Sequence, residues 1–164
     1  PLLIMYLEPD KISAIVDIYS QLISEVTVLS IAYESAHLNV RGDDFYQYHL
    51  LFERTGKDLN SAIDVDSLGE RIGSLDSRYI VPVSAVLAAK NSQIIQQIGD
   101  IPVSQSASVL LDYLISATEF LVKFCYTSAN YLLSIGASAD ANKLQEYEIT
   151  IAHNLYLLNA QKWS

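Results

Sequence analysis

The sequence predicts an all-α protein: a bundle of four long helices, with a shorter helix in the crossover between the second and third. Three observations lead there. Apolar residues recur in steps of three and four over long windows. No segment sustains the apolar/polar alternation of a strand. Break signals fall at Gly42, at Gly99-Asp100-Ile101-Pro102 and at Gly136.

The first helix opens near Pro9-Asp10, a favourable start because proline lacks an amide that the first turn cannot use. Ile12, Ile15, Val16, Tyr19, Leu22, Ile23, Val26, Leu29 and Tyr33 form its apolar stripe, and it closes near Val40, with Gly42 as the stop. The second helix starts at once. Asp44-Phe45-Tyr46-Gln47 reads as a capping box, and the pattern continues to about Ser74. Leu75 to Val81 is a connection, and Pro82 opens a shorter apolar helix to about Ile98. The third long helix runs from about Gln105 to Ile135. Its only charges are Asp112, Glu119 and Lys123, so burial on most sides is expected. Gly136 ends it, and Ser138 caps the fourth helix, which uses Leu144, Tyr147, Ile151, Leu155 and Leu158. Four long helices with one interposed segment make the ferritin-like arrangement. One domain over residues 1–164 is expected, a length that buries roughly 70% of the unfolded surface.

Composition narrows the function classes. With 51% hydrophobic and only 18% charged residues, the chain is apolar for a water-soluble protein. Either it enters a membrane or it buries extra faces against copies of itself. The longest uncharged stretch, Phe124 to Ala139, is interrupted by Thr127, Ser128, Asn130, Ser134 and Gly136, and falls short of the ~18–20 apolar residues of a spanning helix. Homo-oligomerisation without membrane insertion is therefore expected, with Trp163 docking on a neighbour. The net charge of −9, with ten scattered Lys and Arg, opposes DNA binding and suits the attraction of cations. The single cysteine, Cys125, excludes an internal disulfide and reads as a buried small hydrophobe. Together with a start, Pro1-Leu2-Leu3-Ile4-Met5-Tyr6, that lacks the basic flank and cleavage site of a signal peptide, it suggests a cytoplasmic protein.

The chemistry is concentrated in five residues. His37 and His49 flank the break between the first two helices, and Glu53 lies four residues after His49 on the same face. Asp66 and Glu70 repeat that spacing. Imidazole with carboxylate, on helix faces, is a ligand set for first-row metals, and two histidines with two or three carboxylates suit Fe(II); zinc competes for the same set. Glu53 and Asp66 are 13 residues apart, about 20 Å along a straight helix, too far for one ion. Two antiparallel copies of the second helix across a two-fold would join the His37/His49 end of one chain to the Asp66/Glu70 end of the other. A packed histidine and a solvated acidic face are the plainer readings of the same residues.

These residues resemble a family. His37-Leu38-Asn39-Val40-Arg41-Gly42, then Phe45, His49, Phe52-Glu53, and Asp66 to Glu70-Arg71-Ile72, are similar to the signature of the Dps proteins, the ferritin-superfamily mini-ferritins of starved or oxidatively stressed cells. The family pattern is His-Trp-Asn-Val-x-Gly, a second His twelve residues after the first, an acidic residue four later, then Asp-x-x-Ala-Glu-Arg. Ala139-Asp140 through His153 to Leu157-Leu158-Asn159-Ala160 resembles the family's last helix. The resemblance covers about residues 8–160. It implies a dodecameric shell built from two-fold dimers, with ferroxidase centres between subunits. It also implies iron as substrate and stored mineral, with hydrogen peroxide as oxidant. Carried over, His37, His49 and Glu53 of one chain would meet Asp66 and Glu70 of the partner subunit at a mono- or di-iron centre.

There are departures. Leu38 stands for the usual Trp and Gly69 for the usual Ala; Tyr46 and Tyr48 are candidate replacements for the lost aromatic. Two extra residues lie between Glu53 and the second motif, which rotates a helix by about 200°. A π-bulge or local kink near Gly56 or Asp64-Val65-Asp66 must absorb this. Asp64 sits where an uninserted helix would place the ligand, but Leu68 follows it at four residues, so Asp66 with Glu70 is preferred. Two other functions stay in view. One is a Dps-like shell or nucleoid protein with a weak or dead centre. The other is a ferritin-type di-iron site inside the bundle, which needs two Glu-x-x-His motifs. Glu34 and His37 supply one, but Thr150 precedes His153 where the second needs Glu, and Glu34, Glu119 and His153 then read as capping, interface or pore residues.

Overall fold

The computed structural model describes residues 6–163; the opening Pro1–Met5, read above for a signal peptide, lies outside them. Seven helices are present among the described residues: α1 Pro9–Asn39, α2 Phe45–Ala62, α3 Val65–Leu75, α4 Ala85–Asn91, α5 Gln93–Gln97, α6 Ala107–Ser134 and α7 Ser138–Ala160. They contain no strand; the one β-bridge joins Arg41 to Ser106. α1 packs on α2 and α6 on α7, and the α1–α6 and α2–α7 contacts close a four-helix bundle. The short helices α4 and α5 lie in the crossover, against α1. This is the predicted ferritin-like architecture.

The predicted stripe of α1 is the core. Ile15, Tyr19, Leu22, Ile23, Leu29 and Tyr33 are buried to within 1% of complete, and Phe52, Leu59, Leu121, Leu144 and Ile151 meet them from the other helices. α1 is itself long and apolar enough to cross a membrane, although charged residues such as Asp17 and Glu25 interrupt it. Of its most apolar window, 61% is already buried inside the bundle. α2 approaches α1 at Gly56, where an added Cβ would stand 3.0 Å from Cβ of Tyr33. Cys125 lies fully buried in the core, and burial pushes its thiol up to about 12, leaving it neutral and unreactive.

Three polar locks fix the other helices on α1. Tyr19 donates to Asp140 of α7 at 2.5 Å, and Asp140 receives Arg71 of α3 through both Nε and an Nη at 2.8–3.1 Å. Burial first, then the hydrogen bond to Asp140, raises the Tyr19 phenol far above its usual range, so it stays a donor. Tyr33 shares a 2.7 Å hydrogen bond with Thr118 of α6. Glu25, fully buried, accepts from Ser92 Oγ at 2.8 Å, Gln21 Nε2 at 2.7 Å, the amide of Ile94 at 3.2 Å and the amide of Gln93. Its carboxylate thus caps α5 and ties the crossover to the core.

Five details differ from the sequence reading. The second helix is not continuous to Ser74. It stops at Ala62, Ile63 is extended, and α3 begins with Asp64 as its N-cap, accepting from the amides of Asp66 and Ser67 at 3.0 and 3.3 Å. An acidic side chain able to bond its own downstream amides competes with helix continuation. Asp44 is left-handed (φ 62°) and makes no side-chain cap, so no capping box forms. The single helix expected after Pro82 is two, capped by Ser84 and Ser92. Ala137, not Ser138, occupies the cap position of α7. α6 is less buried than expected, with Val109, Tyr126, Tyr131 and Leu133 exposed.

Replacing Glu25 by alanine strands the Ser92, Gln93 and Ile94 donors. The expected loss is about 3 kcal/mol in urea unfolding. Hydrogen-exchange protection should fall first at the Gln93 and Ile94 amides. Unchanged protection there would show that apolar packing alone holds the crossover.

Candidate metal centre

The turn between α1 and α2 is built to bring two histidines face to face. Val40 is buried, the amide of Arg41 donates to the carbonyl of Gln105 at 2.9 Å, and its guanidinium folds back onto the carbonyls of Leu38 and Val40. That guanidinium also lies over the ring of Phe45, 5.7 Å from its centroid. Gly42 at φ 103° reverses the chain, a conformation that glycine adopts without strain. As a result the His37 and His49 rings stack with centroids 4.0 Å apart, and Phe45 covers the far side of His49 at 5.1 Å.

The pair is locked reciprocally. His37 Nδ1 donates to the carbonyl of His49 at 3.0 Å, and His49 Nδ1 donates to the carbonyl of His37 at 2.9 Å. A carbonyl oxygen can only accept, so in each neutral ring the proton sits on Nδ1 and the lone pair on Nε2. This is the tautomer in which an imidazole ligates metal through Nε2 while backbone holds the other nitrogen. Glu53, one turn after His49, pairs with Lys57 at 2.7 Å. The ammonium of Lys57 holds its carboxyl below the usual carboxylate range. His37, Glu53, Lys57 and Glu34 share a groove of about 240 Å³ between α1 and α2, which Ser30 and Asn60 also line.

The chain thus brings His37, His49 and Glu53 to one corner. Asp66 and Glu70 lie exposed on α3, beyond the Ile63–Asp64 break, and Asp64 uses its carboxylate as the α3 cap. Among the described residues, no three His, Cys, Asp or Glu side chains gather closely enough to hold a metal ion. Glu34 opens onto the outer groove rather than the bundle interior, where the carboxylates of Glu25 and Asp140 are already engaged. Leu38 is exposed at the turn, Tyr46 is exposed, and Tyr48 packs against Phe52 at 5.8 Å. His153 stacks on Tyr156, and Tyr156 in turn touches Trp163, which is itself exposed. Glu119 pairs with Lys123 at 2.7 Å. Sequence reasoning missed Lys57, although its position four residues after Glu53 is the spacing of a helical ion pair.

The fold and this corner define the class: a ferritin-like helical bundle with a histidine pair at its first turn. Among solved structures, the chain superposes on Dps proteins. DpsC from Streptomyces coelicolor matches with a TM-score of 0.83 at 18% identity, covering 96% of this chain and 88% of that one. Mycobacterium smegmatis Dps gives 0.82 at 17%, covering 96% and 91%. The Dps protein of Vibrio cholerae O1, described as a member of a broad superfamily of ferritin-like diiron-carboxylate proteins, gives 0.80 at 20%, covering 96% and 94%. No family model and no curated protein matches the sequence. The chain therefore has the Dps fold, the arrangement that its histidine signature implied.

The reciprocal bonds have a spectroscopic consequence. Long-range nitrogen–proton correlation on the neutral imidazoles should place the proton on Nδ1 in both His37 and His49. A proton on Nε2 in either ring would show that the clamp does not form.

Proposed function

We propose that this chain is a Dps-type ferroxidase and iron-storage protein. The observation that carries the reading is the His37–His49 clamp. It is a rigid pair of imidazoles with Nδ1 tied to backbone and Nε2 left for metal, on a fold shared with diiron-carboxylate proteins. Fe(II) is the substrate, and His37, His49 and Glu53 supply one half of its site. Asp66 and Glu70 of the partner subunit supply the other half across a two-fold. Asp64 stays a helix cap in this reading. The exposed Val109, Tyr126, Tyr131 and Leu133 of α6 suit burial against further copies in a shell, expected to be a dodecamer.

The chemistry follows from the ligand types. Carboxylates stabilise Fe(III) over Fe(II), so binding favours oxidation. Two Fe(II) ions giving one electron each to one hydrogen peroxide cleave its O–O bond to two hydroxides, without releasing hydroxyl radical. The net charge of −9 suits cation entry and opposes DNA binding. A specific observation favours the alternative, a shell with a weak centre: Glu53 is already paired with Lys57.

Purified protein should elute as a large particle and consume peroxide when given Fe(II). Replacing His37 and His49 together by alanine should cut the oxidation rate at least tenfold, since both fixed ligands are lost, while the particle stays intact. A monomeric wild type, or unchanged oxidation in the double variant, would defeat the proposal. DNA mobility should be unshifted at moderate salt.

A further inference from the structure

The groove between α1 and α2 holds one ammonium and two carboxylates. Lys57 pairs with Glu53 at 2.7 Å, and Glu34 lines the same groove from α1. Gly56 lets the two helices approach closely there, with Tyr33 as the facing residue. We infer that Lys57 is an exchangeable counter-ion of the metal centre. It occupies the Glu53 carboxylate when no metal is bound, and passes to Glu34 when a divalent cation claims Glu53. This inference rests on the proposed function, because it assumes that Glu53 is a ligand.

The physical case has three parts. A carboxylate hydrogen-bonded to an ammonium is not free to ligate, so metal binding must break the Lys57–Glu53 contact. That contact is weak enough to break. The Lys57 side chain is 73% exposed and that of Glu53 35%, and exposed pairs four residues apart contribute little to stability. Once a dication sits on Glu53, the released ammonium is repelled, and Glu34 is the other carboxylate lining the groove. Lys57 is thus a positioning residue: it acts through Glu53 and sets metal affinity. Glu34 adds to affinity only through Lys57.

The test is an anaerobic titration of the assembled protein with Co(II), read by its ligand-field absorption. The set is wild type, Lys57→Gln, Glu34→Gln and the double variant, all changes at exposed positions. Lys57→Gln should tighten Co(II) binding by roughly tenfold, the size of a unit charge removed from a dication at a few ångströms in water, and added salt should shrink that gain. Lys57→Arg should restore the wild-type affinity. Glu34→Gln should weaken binding when Lys57 is present and leave it unchanged when residue 57 is glutamine, a non-additive cycle. Equal effects of Glu34→Gln in both backgrounds, or unchanged affinity in Lys57→Gln, would overturn the inference and leave the proposed function standing. Absence of a Co(II) band that His37→Ala removes would overturn both.

Discussion

The structure depends on the burial of α1, and on the polar groups that this helix carries into the core. A 31-residue helix with a wide apolar stripe attracts any other apolar face, and the hydrophobic effect alone sets no register along it. Register comes from directional bonds. Tyr19 reaches Asp140 and, through it, Arg71; Glu25 caps α5; Tyr33 meets Thr118; His37 clamps His49. Each lock joins α1 to a different element, so a slip of one turn would leave several buried groups without partners. The cost of burying an unpaired polar group makes such slips unfavourable even where the apolar packing would tolerate them.

The two halves of the candidate centre differ in rigidity for reasons visible in their bonds. The histidines are held by backbone carbonyls, a stacked phenyl ring and a turn that is itself bonded to Gln105. Glu53 is held only by a neighbouring ammonium, and Asp66 and Glu70 stand exposed on α3. In the proposed shared centre, ligand geometry is therefore completed by subunit association. Metal binding and assembly then stabilise one another, because a ligand that binds only the paired state draws chains into it.

The long helices were legible because periodicity over many turns is a strong signal, and His37 and His49 because imidazoles at a helix break are chemically conspicuous. The split of the second helix was harder to read. Asp64, Asp66 and Glu70 are all acidic, and a cap and a ligand look the same in sequence; only the hydrogen bonds from the Asp66 and Ser67 amides separate them. The buried roles of Glu25 and Asp140 are not visible in the sequence, because a buried carboxylate differs from a surface one only by the donors that the fold brings to it. Apart from Gln21, those donors come from residues 67 to 69 positions away for Glu25, and 69 and 121 away for Asp140. The exposed tyrosines of α6 belong to the same class of miss, since an apolar face does not state whether its own chain or a copy will cover it.

The break at Ile63–Asp64 also offers a way to accommodate the two extra residues that the Dps resemblance implies. Within one continuous helix they would rotate everything downstream by about 200°, taking Leu68 and Ile72 out of the core. Restarting the helix at a new cap frees α3 to choose its own rotation, and both residues are fully buried. The orientation of α3 is then set through Arg71 and Asp140 rather than through α2. Because Asp140 is also held by Tyr19, α3 is referred back to α1, the helix that carries His37. Tyr19 and His37 lie 18 residues apart, about 27 Å along one straight helix. The spacing between the histidine corner and the Asp66/Glu70 face is thus referred to one continuous helix, α1. For a two-fold pair of chains whose sites each need one end from either partner, that spacing is the dimension that both sites must share.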